Sequence, residues 1–338
     1  MAIIPEQHKK PGLCYAVSDD GLELPVIDLA QDAFARYPGD AELAKISEAS
    51  LRALKDLARL PAFLRRYMMK RSALLRDFAG SYVTGMSTYL QKLGAENLGK
   101  GYASGMDYRV AAAIGPVCMR LRLRETVRLL AEGLAAPLGA RAGAPLHLVN
   151  IAGGTAVDSW NVLIRLHRER PELLGGRETH LHVLDCDAAG PSFGSRAVAA
   201  LCGDGAALDG MTVRFHAVAY DWRDVSALEE LTRGFEHDAV TGVSSEGGLF
   251  EYGSEAEIRS NLDVLREYTA EDCVVAGSVL KSEAEADPNL VVLKRVSAMT
   301  VNLLGLEAFR EIIAPTGWRV EQQGPDNPCY HVVRLSRR

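Results

Sequence analysis

Residues 146–157, LHLVNIAGGTAV, constrain this chain most: an apolar run turns through two glycines into a second apolar segment. Leu146, Leu148, Val149 and Ile151 read as a buried strand, Gly153 and Gly154 as a tight turn, and the stretch from Val157 to Leu166 as a helix. Such a turn leaves free backbone N–H groups at a helix N-terminus, where a carboxylate or phosphate is held against the helix dipole. That suits a nucleotide-bearing ligand. Neither GxGxxG nor a Lys followed by Ser or Thr after the second glycine is present, so the dinucleotide and phosphate loops are not matched. The plain alternative is an ordinary strand-to-helix turn.

Downstream of this loop strands and helices alternate. THLHVLDCDAAGPSF reads as a strand running into a turn, MTVRFHAVAYDW, HDAVTGVSS and EDCVVAGSVL as further strands with helical segments between them, and WRVEQQ and CYHVVRLSRR close the chain as a hairpin around GPDNP. Alternation of this kind predicts a mostly parallel sheet covered on both faces, with an antiparallel edge. Upstream, Pro5, Pro11, Pro25 and Pro38 punctuate an irregular arm, and from Asp40 apolar residues recur at helical spacing, interrupted at Pro61 and by the glycines of GKGYASGMDYR. No strand is expected before Leu146. Residues 1–143 therefore read as an all-helical lid ahead of an α/β domain over 144–338.

The formal charge of −6 is unevenly spread. Residues 1–143 hold 20 Lys and Arg against 15 Asp and Glu, and the remainder 18 against 29. An acidic α/β half with no basic, aromatic-interleaved tract is a poor partner for a phosphate backbone, so a small molecule is expected and nucleic acid is not. The six cysteines are scattered without a CxxC pair, which predicts reduced thiols in a cytoplasmic protein and no zinc finger. No stretch is apolar enough to span a bilayer or serve as a leader, so no membrane partner is expected. A homodimer is the one protein partnership allowed for. His180, His182, His216, His237 and His331 fall at no obvious strand end and read as structural, and no metal is expected.

The loop spacing resembles the first motif of class I S-adenosylmethionine-dependent methyltransferases: an acid, an apolar residue, then three small residues at alternate positions. Asn150 stands at the acid position, and Ala152, Gly154 and Ala156 at the small ones. The order of strands, helices, APTGW and terminal hairpin extends the resemblance over residues 144–338. It implies a Rossmann-like α/β fold with an antiparallel terminal hairpin, and S-adenosylmethionine as cofactor. Asn150, Ala152, Gly153 and Gly154 then form the cofactor loop. Asp185 or Asp187, closing the second strand, corresponds to the acid that accepts from the ribose hydroxyls, with capping of the next helix as the alternative. Asp221 and Trp222, after the third, correspond to the adenine contacts. Ser244, Ser245 and Glu246 follow the fourth strand, where Glu246 and Tyr252 would face the sulfonium.

Seven of the eleven tyrosines lie before residue 143, and Tyr82, Tyr102 and Tyr108 are the candidates for an aromatic lid over a sulfonium. No base and no metal site is visible. The arm of S-adenosylmethionine can attack its own Cγ through an amine that is partly neutral near pH 7, a proximity effect needing no acceptor. In plan, and in DCDAAGPSFGSRA and SSEGGLFEYGS, the chain resembles azetidine-2-carboxylate synthases, bacterial secondary-metabolism enzymes that close this ring and release methylthioadenosine. That resemblance makes intramolecular cyclisation the favoured expectation. A small-molecule methyltransferase is the alternative, a non-catalytic binding subunit a third, and a nicotinamide-dependent oxidoreductase the least matched by the loop.

Overall fold

The computed structural model describes residues 9–80, 82–99 and 105–338. Two short strands, β1 (Tyr15–Val17) and β2 (Glu23–Pro25), pair antiparallel near the N-terminus. They were not foreseen: three residues each are too few to show an alternating pattern. Helices α1 (Asp32–Ala35), α2 (Asp40–Ala58) and α3 (Ala62–Lys70) follow, the last two separated at Pro61 as the sequence suggests. The helical run stops at Lys70; a 3-10 turn over Arg76–Ala79 precedes α4 (Gly85–Leu93), which Thr84 caps by accepting from Ser87 N–H. Beyond α5 (Gly105–Ala111), α6 (Ile114–Ala140) is a single helix, because Pro116 falls in its first turn where a missing N–H costs nothing.

The α/β part unfolds as β3 (Leu146–Ile151), α7 (Val157–Glu169), β4 (Thr179–Asp185), α8 (Ala189–Leu201), β5 (Val213–Ala219), α9 (Ser226–Arg233) and β6 (Val240–Ser245). It goes on through α10 (Leu249–Tyr252), α11 (Glu255–Tyr268), β7 (Val274–Leu280), α12 (Pro288–Val296), α13 (Gly305–Ile313), β8 (Trp318–Gln323) and β9 (Tyr330–Arg337). The sheet order is β5-β4-β3-β6-β7-β9-β8, parallel except for β9, which runs antiparallel to both β7 and β8. The expected mostly parallel sheet with an antiparallel terminal hairpin is present.

Side-chain alternation sorts the strands between two cores. Leu146 and Leu148 of β3 join Leu181 and Val183 of β4 in the cluster beneath α6, α7 and α8. Val149, Ile151 and Leu184 enter the cluster beneath α9, α11 and α13. This period of two is what a strand buried on both faces requires. The helix α6 is the hinge of the architecture: it packs on β6, β7 and β9 while α4 and α5 rest on its other side. The helical front is therefore joined to the sheet through a helix that is also part of the sheet's cover. Among the described residues no helix is long and apolar enough to cross a membrane.

Candidate active site

In an open parallel sheet the carboxyl ends of the strands define the crevice for ligands, and here β3, β4 and β6 send their loops to that end. Ala152, Gly154 and Ala156 all adopt left-handed backbone, with φ of 55°, 61° and 61°. An L-residue pays about 1–2 kcal/mol for that conformation, so the three small positions are glycine-like in shape although two carry a methyl. A Cβ at Gly153 would lie 1.7 Å from Asn150 Oδ1, and one at Gly154 would lie 2.3 Å from Gly85 Cα. A Cβ at Gly190, near the start of α8, would lie 2.8 Å from the Gly154 carbonyl carbon. Three segments thus meet backbone to backbone at one point.

Three of the loop's N–H groups are engaged within the protein rather than free. Those of Ala152, Gly154 and Ala156 donate to Leu184 O at 2.7 Å, Asp185 Oδ2 at 2.9 Å and Gly153 O at 3.1 Å. Asn150 is wholly buried, its Nδ2 donating to Asp158 Oδ1 at 2.6 Å and Ser244 Oγ at 2.9 Å. The carboxylate that position 150 lacks is thus supplied by α7. Burial, and next the charge of Glu246, push the Asp158 carboxyl up to about 6. Asn150 Oδ1, Asp158 Oδ2 and Ser245 Oγ are buried with no partner.

Asp185 accepts from the N–H groups of Gly154 and Asp187, and burial raises its pKa. A carboxylate has about four acceptor sites, so capacity for a diol remains. Asp187 accepts from Ala189 N–H at 3.1 Å, the helix-capping role. Asp221 is exposed and gripped by the Arg223 guanidinium, whose hydrogen bonds lower its pKa. Trp222 is half-buried against the cluster under α9 and α11.

Of the lid tyrosines, Tyr82 does reach the end of β4: it is exposed, and the negative charge of Cys186 and then burial, Asp187 and Asp185 raise its phenol. Tyr108 is exposed on α5 and takes no part in the cavity described below, although Met106, Arg109 and Val110 beside it do. Tyr102 lies outside the described residues. Tyr252 is half-buried, bonded to the Val83 backbone, and faces that cavity.

Glu246 is placed differently from the expectation. Its carboxylate is held by Lys92 of α4 on one oxygen and by Arg122 Nε of α6 at 2.5 Å on the other. A carboxylate shared by two cations is already neutralised and has little field left for a sulfonium. Arg122 Nη1 also reaches Glu251 Oε1 at 2.8 Å, which accepts in addition from Ser278 Oγ at 2.5 Å. The Arg122 guanidinium lies over the Tyr330 ring at 4.4 Å and fills the space a Cβ at Gly247 would need. Two acids and two cations, all nearly fully buried, therefore tie the helical front to the ends of β6 and β7. Burial raises the Glu251 carboxyl, opposed by Arg122.

Beside this network lies a cavity of about 790 Å³. Its walls are overwhelmingly apolar, drawn from α2, α3, α5 and α12, with Met69, Phe78, Leu290 and Val301 among them. Arg122, Gly247, Glu251 and Tyr252 line it on the sheet side, and Gly248 packs on Ala152. The loop after β6 is thus the partition between the cavity and the glycine loop.

Lys92, Arg122, Glu251 and Asp158 escaped the sequence reading. Arg122 carried a signal: it lies four residues from both Cys118 and Thr126, on a buried stripe of α6 where an unpaired charge is untenable.

No family model matches the chain, and no curated protein matches its sequence. Solved structures align with it at low identity. The N,N-8-amino-8-demethyl-D-riboflavin dimethyltransferase RosA of Streptomyces davawensis is 12% identical over 69% of this chain and 58% of its own, with a TM-score of 0.39. Magnesium protoporphyrin IX methyltransferase of Synechocystis PCC 6803, solved with S-adenosylhomocysteine, gives 11%, 75%, 94% and 0.45 in the same order. An O-methyltransferase from neocarzinostatin biosynthesis, NcsB1, gives 18%, 83%, 74% and 0.41. The alignment spans under three fifths of RosA and of the pyocyanin biosynthetic protein PhzM. With β9 inserted antiparallel between β7 and β8, the architecture is decided by the sheet itself. The fold is that of the class I methyltransferases. The glycine loop, the ends of β4 and β5 and the β6 loop all lie at the carboxyl ends of the parallel strands.

Proposed function

We propose that this chain is an S-adenosylmethionine-dependent methyltransferase acting on a bulky, largely apolar small molecule. The observation that carries the reading is the 790 Å³ apolar cavity against the β6 loop. A molecule of two or three rings fills such a volume, whereas a cofactor folding back on itself needs no second chamber. The residues fit the cofactor: the three unpartnered acceptors beneath the loop match a donor-rich cationic group, and Asp185 retains acceptor capacity for a ribose. S-adenosylmethionine would supply a methyl carbon activated by its sulfonium. For the acceptor, Glu251 provides a buried carboxylate at the polar end of the cavity, oriented by Arg122 and Ser278. The apolar walls exclude water from the transfer.

Cyclisation to azetidine-2-carboxylate is the second reading, favoured by the enclosure of the glycine loop under Gly85. The engagement of Glu246 by Lys92 and Arg122 leaves little field for the sulfonium it was expected to face. The deciding experiment incubates the protein with S-adenosylmethionine alone and then with a panel of apolar hydroxylated and aminated aromatics, reading products by mass spectrometry. S-adenosylhomocysteine formed only with an acceptor supports methyl transfer. Methylthioadenosine formed without one replaces it by cyclisation, and thermal stabilisation by S-adenosylmethionine with no turnover under any condition leaves a binding subunit.

A further inference from the structure

On the sheet face covered by α9, toward the amino ends of the strands, four histidines meet. The parallel registers set His147 of β3 beside His180 of β4, and His182 of β4 beside His216 of β5. We propose that this cluster binds a divalent transition-metal ion of the zinc type, as a structural rivet across β3, β4 and β5, with His147, His180 and His182 as ligands.

One carboxylate orients the His147 ring, and a second lies near His180 without hydrogen-bonding it. His147 Nε2 lies 2.8 Å from Glu236 Oε2, and His180 Nε2 lies 3.2 Å from Glu178 Oε1, a carboxylate that also pairs with Arg214. A ring nitrogen hydrogen-bonded to a carboxylate keeps its proton, which leaves Nδ1 of His147 as a lone pair, whereas His180 Nε2 makes no hydrogen bond. Metal-binding histidines are oriented by outer carboxylates in this way. The two Nδ1 atoms turn into the cluster: that of His147 is 2.9 Å from His182 Nε2, and that of His180 is 3.1 Å from His216 Nε2.

One nitrogen from each of His147, His180 and His182 lies within 4.8 Å of the other two. Tetrahedral ligands at the usual zinc–nitrogen length stand about 3.3 Å apart. An ion replacing the proton shared by His147 and His182 therefore opens that pair by a few tenths of an ångström. The rings are within 18° of parallel, so His180 joins by turning about its Cβ–Cγ bond. His216 is at hand for the fourth position.

A purely structural role accounts poorly for the cluster. His182 is 5% exposed, yet its Nδ1 has no partner. Apolar side chains would fill the same face without that desolvation cost, and Phe235, stacked on His147 at 4.0 Å, shows that the space accepts one. Neutral imidazoles suit Zn²⁺, Ni²⁺ and Cu²⁺, and an ion here would stabilise the native state by mass action without touching the strand-end site.

The test uses tag-free full-length protein dialysed against EDTA, titrated with ZnCl2 by calorimetry and with CoCl2 by visible absorption. The expected result is one ion per chain, a melting temperature that climbs with free zinc, and the intense bands of four-coordinate cobalt. His182→Gln should lose at least tenfold in zinc affinity, while His167→Gln, on α7 across the sheet, should not. Absence of saturable binding, or wild-type zinc affinity in His182→Gln and His147→Gln, overturns the assignment. Should those variants fail to fold, the cobalt spectrum of the wild-type protein decides, since weak six-coordinate bands overturn it as well.

Discussion

At the ends of β3 and β4 the chain closes on itself backbone to backbone, with Gly85, Gly154 and Gly190 in contact; at the ends of β6 and β7 it closes through Lys92, Glu246, Arg122 and Glu251. The first closure draws its specificity from the absence of side chains. The second draws it from charges that are tolerable in the interior only together. Buried ion pairs seldom exceed an apolar replacement in stability, but removing one member strands its partner in low dielectric. The two sides of the same surface should therefore respond differently to mutation, and the differences can be ranked.

The largest effect belongs to Arg122. Replacing it by methionine leaves Glu246 and Glu251 buried beside Lys92 alone, and a loss of about 3–5 kcal/mol is expected in urea unfolding. A loss below 1 kcal/mol would show that the charges are solvated and that the comparison is misdrawn.

Next comes Asp158, which belongs to both sides because it touches Asn150 and feels Glu246. Its folded pKa of about 6 lies above the unfolded value of 3.8, so the native state holds the proton longer. The stabilisation is fully present below pH 4 and is lost as pH rises through 6, by up to about 3 kcal/mol. Denaturant titrations at several pH values should show this fall in the wild type and its absence in Asp158→Asn.

Gly85→Ala should cost about 1–3 kcal/mol by overpacking, since its methyl would sit 2.4 Å from Gly154 Cα. It should also weaken S-adenosylmethionine binding, measured by calorimetry, more than Arg122→Met does relative to the stability each loses. The smallest stability change is expected at Asp221, where the exposed pair with Arg223 contributes little. Asp221→Asn should stay within about 0.5 kcal/mol of the wild type while lowering cofactor affinity; unaltered affinity would remove it from the adenine contact.

The sheet was legible because its information is local. β3 to β7 each carry their own apolar run and turn, and the hairpin of β8 and β9 announces itself through GPDNP. The resemblance marked positions 152, 154 and 156 as small, but the left-handed backbone of Ala152 and Ala156 came only from the structure. The charged side of the site was not legible in the same way. Glu246 stood out as a polar residue after a strand, but its meaning depends on Lys92 and Arg122, over a hundred residues away in the sequence. Tyrosine count in the front helices was a poor guide, because Tyr89 went to the core and Tyr108 to solvent. The histidines alternated visibly along β4; only the register with β3 and β5 brings four of them together.

The meeting of Gly85, Gly154 and Gly190 bears on how such a protein can change over generations. Two stretches separated from it by dozens of residues close on Gly154, so enlarging Gly85 or Gly190 displaces the glycine loop. Nor can the helical front be cut away at residue 143 as a module: the remainder would expose the glycine loop and keep two buried acids without their cations. Expressed alone, residues 144–338 should be insoluble or molten, with ANS bound and near-ultraviolet circular dichroism lost. The front and the sheet must have been inherited, and must vary, as one piece.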